Sequence, residues 1–104
     1  MNKLPIEISD LAFLEIKSIM ETKNIPSDYF LRVGVKGSGC SGTSFFIGFD
    51  KINTNDQTFT FGNVNIVIEK KHFLYLSGMK VDFVNNSNER GFIFVNIVEN
   101  KIDV

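Results

Sequence analysis

Residues that could do chemistry concentrate in Gly37-Ser38-Gly39-Cys40-Ser41-Gly42. Three glycines in six residues let a backbone take positive φ angles and expose its N–H groups. Successive N–H groups in such a turn form an anion-binding concavity. A thiolate held there is stabilised, and its pKa falls. Small neighbours also leave room for a metal cluster or a partner. The plainer reading is a wide hairpin in which Cys40 is a small, inert residue, as free cysteines often are. The residues alone leave both readings open. Cys40 is the only cysteine. No intramolecular disulfide can form, which fits a reducing compartment. No four-cysteine site can be built from one chain.

Other candidates carry less. His72 is the only histidine, in Lys70-Lys71-His72-Phe73. It reads as a surface or helix-end residue, since metal sites cluster several ligands. A Cys40–His72 nucleophilic pair would need a proximity that sequence does not give. Asp82, between Val81 and Phe83, is expected on the solvated face of its strand. Lys70-Lys71 is a short solvated charge run. Asn85 to Arg90 is a polar turn without a phosphate-binding pattern.

The elements that must position Cys40 follow from periodicity. Ile6 to Ile8 is a short extended stretch. Ser9 suits an N-cap, and Asp10 complements the helix dipole. From Leu11 to about Thr22, the stripe Ala12, Ile16 and Ile19, widened by Phe13 and Met20, predicts a helix. Asn24 to Ser27, with Pro26, ends it. Tyr29 to Lys36 alternates as a strand, with Leu31, Val33 and Val35 on one face and Phe30, Arg32, Gly34 and Lys36 on the other. The six-residue turn follows, and Thr43 to Phe49 returns. Asp50 to Gln57 is a polar loop. Thr58 to Phe61 and Val64 to Glu69 are strands around Gly62-Asn63, a tight-turn dipeptide. Lys70 to Leu76 allows one or two helical turns, stopped by Ser77-Gly78. Val81 to Val84 and Phe92 to Val95 are strands flanking the Asn85–Gly91 turn, and residues 96–104 have no strong pattern. The class is α+β: a small β-rich sandwich or partly closed barrel of short strands, with one N-terminal helix and one short late helix.

The chain of 104 residues reads as a single domain, 1–104, large enough for its own core. A hydrophobic fraction of 43% with 22% charged residues is globular, not disordered. Eleven phenylalanines and no tryptophan imply a Phe-heavy core. A net charge of −1 does not supply the basic surface that nucleic acid requires. No apolar run approaches the ~18 residues of a membrane span. Met1 to Asp10 lacks the basic start and apolar core of a signal peptide. These features predict a cytoplasmic protein.

In order and spacing, several blocks resemble the HesB-like, or A-type, iron–sulfur cluster carriers, the iron–sulfur cluster assembly accessory proteins. Ile8-Ser9-Asp10 with Ala12 and Ile16 resembles that family's opening strand and helix. Leu31-Arg32-Val33-Gly34-Val35, then Ser38-Gly39-Cys40-Ser41-Gly42, resembles its first cysteine motif, with Phe45 where an aromatic often follows. Leu76-Ser77-Gly78 with Val81-Asp82-Phe83-Val84 resembles the next block. Gly91-Phe92-Ile93-Phe94-Val95-Asn96 resembles the stretch before the C-terminal motif.

The resemblance implies a HesB-like domain, a homodimer or tetramer, and partners among iron–sulfur scaffold and recipient proteins. It implies a carrier rather than an enzyme, binding iron or an iron–sulfur cluster through Cys40. The departure is the family's C-terminal Cys-Gly-Cys motif: residues 97–104 contain no cysteine or histidine. A cluster normally takes four thiolates. One chain offers one, and a symmetric dimer two, so the remaining ligands must come from outside the chain. Two alternatives stand beside this reading. One is a divergent domain that has lost cluster binding and acts as a protein-interaction or regulatory module. The other is a thiol enzyme or redox sensor using Cys40 alone.

Overall fold

The computed structural model describes residues 3–39 and 42–97. The chain divides into two compact units, residues 1–4 with 25–76 and residues 5–24 with 77–104.

The first unit is a four-stranded open sheet made of two hairpins. Strands β2 (Phe30–Gly39) and β3 (Gly42–Asp50) pair antiparallel, as do β4 (Asp56–Phe61) and β5 (Val64–Glu69). The hairpins join through parallel pairing of Leu31 with Ile66 and Arg32 with Val67, giving the order β3-β2-β5-β4. The period-two pattern places Leu31, Val33, Val64, Ile66, Ile68 and Phe59 on one face, and all are buried. Gly62 takes φ +61° in the two-residue loop between paired Phe61 and Val64, the backbone a primed hairpin turn needs there. After β5 comes a 3₁₀ turn, Lys70–His72, and then α2 (Phe73–Leu76). Phe73 packs its ring 5.9 Å from that of Phe59, and Leu76 is buried.

The second unit is a three-stranded open sheet with one helix. β1 (Glu7–Ile8) pairs parallel with β6 (Met79–Asn85), and β6 pairs antiparallel with β7 (Arg90–Asn96). Helix α1 (Asp10–Thr22) packs against β6 and buries Ala12 and Ile16. Met79, Val81 and Phe83 alternate as buried positions of β6. Phe83 meets Phe92 edge-on with centroids 5.0 Å apart, and the Arg90 guanidinium lies over its ring. The Ser9 hydroxyl accepts the Ala12 N–H at 3.1 Å, as an N-cap does.

Among the described residues, two α-helices and seven strands in two unclosed sheets make the α+β class expected from the sequence. The boundaries shift at the glycine-rich segment. Gly37, Ser38 and Gly39 are not turn residues but the end of β2, paired with Ser44, Thr43 and Gly42. The polar loop is also shorter, because β3 reaches Asp50 and β4 begins at Asp56.

Candidate functional site

Cys40 and Ser41 lie outside the described residues, so the site is built from what flanks them. The β2–β3 ladder continues to Gly39 opposite Gly42, and Gly42 takes φ +103°, a conformation that favours glycine. The register shifts between Val35 and Gly37, leaving Lys36 as a bulged residue. Such a bulge bends the strand and re-aims its side chains. All three glycines expected to free this turn, Gly37, Gly39 and Gly42, instead belong to paired strands.

His72 ends the 3₁₀ turn, the helix-end place expected of it, but it is not a surface residue. Its side chain is 14% accessible. Its Nδ1 accepts the Val35 N–H at 3.3 Å, just beyond the last residue of β5. The imidazole thus satisfies a β2 donor that β5 no longer reaches. In the neutral ring this leaves the proton on Nε2, which lies 4.0 Å from Glu69 Oε1. The close approach depends on Gly34. A Cβ there would lie 2.7 Å from Phe46 Cε1 and 3.0 Å from His72 Nδ1. Val35, Lys36, Gly37, Lys71, His72 and Tyr75 line a cleft of about 380 Å³.

Asp82 is not simply solvated. Ile8 pairs with Val81, so Ser9 falls beside Asp82, and the Ser9 hydroxyl donates to Asp82 Oδ1 at 2.6 Å. That bond, with the Phe83 N–H at 2.8 Å, holds the Asp82 carboxyl below the usual carboxylate range. The Asn85–Arg90 turn is held by Asn86, whose Oδ1 accepts the N–H groups of Asn88 and Glu89. Lys71 is exposed and pairs with Glu69 at 3.6 Å.

Sequence reasoning missed one network. Arg32, assigned by alternation to the outer face of β2, is 8% exposed. It grips Asp56 through NH1 to Oδ1 at 2.8 Å and NH2 to Oδ2 at 2.6 Å, and reaches Asp50 through Nε at 3.0 Å. NH2 also donates to the Lys51 carbonyl. The hydrogen bond from Arg32 holds the Asp56 carboxyl below the usual range, against the opposing effect of burial. This is scaffold, closing the loop between β3 and β4. Among the described residues, no group of three His, Cys, Asp or Glu side chains is placed to hold a metal ion.

The model of the family for iron–sulphur cluster biosynthesis matches residues 4–102. The chain belongs to that family, as the ordered sequence blocks implied, and it lacks the family's C-terminal Cys-Gly-Cys motif. It is 36% identical over 94 residues to the iron-binding protein IscA of Enterobacter sp. (strain 638), covering 89% of this chain and 86% of that one. Its fold matches the crystal structure of Escherichia coli SufA, involved in biosynthesis of iron–sulfur clusters. The TM-score is 0.73 at 21% identity, over 92% of this chain and 83% of that one. The structure of IscA with the [2Fe–2S] cluster matches with a TM-score of 0.66 at 20% identity, over 88% and 81% of the two chains. No helix among the described residues is long and apolar enough to cross a membrane.

Proposed function

We propose that the protein is an A-type carrier that takes up iron or an iron–sulfur cluster through Cys40 and passes it on by ligand exchange, without turning over a substrate as an enzyme does. The observation that carries this is the family match over residues 4–102, with Cys40 in the family's first cysteine motif. The iron-binding name of the IscA relative and the [2Fe–2S] cluster of the IscA structure support the nature of the cargo. The family match runs through both compact units, which supports one HesB-like domain over 1–104.

Ligand counting sets the mode of binding. Four thiolates are the usual complement of a cluster. With one thiolate per chain, a homodimer supplies two, and external thiols supply the rest. Exchange of those external ligands is then the natural route for cargo to enter from a scaffold protein and leave to a recipient. Partners of these two kinds, a homodimer or tetramer, and a cytoplasmic setting belong to the same reading.

Anaerobic incubation with ferrous iron, sulfide and thiol tests it, read by visible absorbance and iron analysis. Cys40-dependent iron is expected, and Cys40→Ala should retain less than a tenth as much. Equal retention by the variant, or none by either protein, would remove the ligand role. Partner capture that survives Cys40→Ser would then favour the interaction-module alternative.

A further inference from the structure

His72 is a titratable group that the carrier reading does not use, and its place in the fold depends on its protonation state. Parallel pairing joins Leu31 and Arg32 of β2 to Ile66 and Val67 of β5. Further along β2, the Val35 N–H donates to His72 Nδ1 at 3.3 Å. The imidazole thus carries the tie between β2 and the segment after β5 beyond the paired residues. On its other side Val35 pairs with Phe45 of β3. The ring is mostly covered and held close to β2, since a Cβ on Gly34 would lie 3.0 Å from Nδ1.

The bond requires the neutral ring. A neutral imidazole keeps one nitrogen that accepts, whereas both nitrogens of the imidazolium are donors. Protonation at Nδ1 sets one N–H against another, and the Val35 bond cannot persist. Glu69 of β5 offers the charged ring a different partner. Its Oε1 lies 4.0 Å from Nε2, outside hydrogen-bond reach in the neutral arrangement. Closing that gap to the ~2.8 Å of a charge-assisted bond draws the ring toward Glu69. Glu69 also pairs with Lys71 at 3.6 Å. The other titratable groups on the surrounding elements are Lys36 on β2, Lys70 and Lys71 in the 3₁₀ turn and Tyr75 on α2. Arg32 on β2 and Asp50 on β3 are committed to each other, and β3 otherwise brings the Phe46 ring. The lysines carry donors only, so none of them replaces Nδ1 as the acceptor for Val35. Val35 is half-buried and lines the cleft of about 380 Å³, so solvent can take over its N–H when the ring lets go.

We infer that His72 is a protonation-sensitive latch: neutral, it fastens β2 to the segment after β5; protonated, it releases Val35 and turns to Glu69. One proton passes from solvent to Nδ1, and no other covalent bond changes. The released stretch, Val35 to Gly37, keeps its pairing with β3 and gains freedom at the Lys36 bulge. The device needs neither metal nor partner, so it stands apart from the carrier reading.

The test uses the full chain without iron. NMR follows the His72 ring nitrogens and the Val35 amide between about pH 8 and pH 5, the range in which histidine charges. Amide exchange is measured over the same range and corrected for its intrinsic pH dependence. The neutral ring should be the Nε2–H tautomer. The Val35 amide shift should move with the midpoint of the ring, and its protection should fall about tenfold below that midpoint, as loss of one hydrogen bond implies. His72→Asn puts an amide oxygen where Nδ1 stands, an acceptor at every pH, so Val35 protection should persist and lose its pH dependence. Glu69→Gln should keep ring and amide titrating together. An Nδ1–H tautomer, a ring that stays neutral throughout, or a Val35 amide indifferent to the ring's titration would overturn the latch. So would an unchanged pH dependence in His72→Asn, or its disappearance in Glu69→Gln, which would make Glu69 the titrating group. If circular dichroism shows either variant misfolded, the wild-type titration decides alone.

Discussion

The Arg32 guanidinium makes four hydrogen bonds, three to carboxylate oxygens and one to the Lys51 carbonyl. The Asp56 side chain is fully covered, so removing its charge leaves the buried guanidinium with only the half-exposed Asp50 as a carboxylate partner. Asp56→Asn is expected to cost about 3 kcal/mol in urea denaturation at pH 7. The pH dependence has a definite sign. Because the Asp56 carboxyl is held below its ordinary value, its contribution is fully present above the unfolded value of about 4. It is lost as pH falls through the lower folded value. Wild type should therefore lose stability steeply below pH 4, and Asp56→Asn should show a shallower loss over the same range. Alternation alone sends Arg32 to solvent. The clue to the contrary was two aspartates, Asp50 and Asp56, bracketing a short loop, and only the strand register shows that both reach one guanidinium. Cys40 was legible as a candidate because it is the sole cysteine amid glycines. The helix-end place of His72 was legible, but its covered ring was not, because its partner, the Val35 N–H, is 37 residues away in sequence.

At the scale of elements, helix α1 and the strand register are joined by one residue. Ser9 caps α1 and also donates to Asp82 on β6. Ser9→Ala should cost about 1–2 kcal/mol of unfolding free energy, more than an isolated cap at the low end of the usual range, because Asp82 loses its donor as well. The capping role was plain in Ser9-Asp10 ahead of an apolar stripe. The bond to Asp82 was not, since a parallel pairing across more than seventy residues leaves no local mark. Gly34 plays the comparable part for β2, admitting Phe46 and His72 close to the backbone. Gly34→Ala should destabilise by about 1–3 kcal/mol and shift the His72 imidazole resonances, since the added methyl meets an aromatic ring and the acceptor of the Val35 bond. Helix and strand identities followed from period alone. The glycine-rich ends of β2 and β3 did not, because glycine weakens the strand signal even where the ladder continues.

At the scale of the whole molecule, membership of the iron–sulphur cluster biosynthesis family rests on the match over residues 4–102 and on the 36% identity to an IscA relative, and the fold is the one seen in SufA and IscA. The order of weak sequence blocks made that legible where no single block was specific. The mode of cargo binding follows from a count: the chain holds one cysteine where a cluster takes four thiolates. The most direct test is iron and visible absorbance per chain, measured on anaerobically reconstituted protein before and after exchange into thiol-free buffer. The account predicts a cluster that depends on Cys40, persists while external thiol is present and is lost when that thiol is removed. Cys40→Ala holding as much iron as wild type, or a wild-type cluster that survives complete thiol removal, would contradict it.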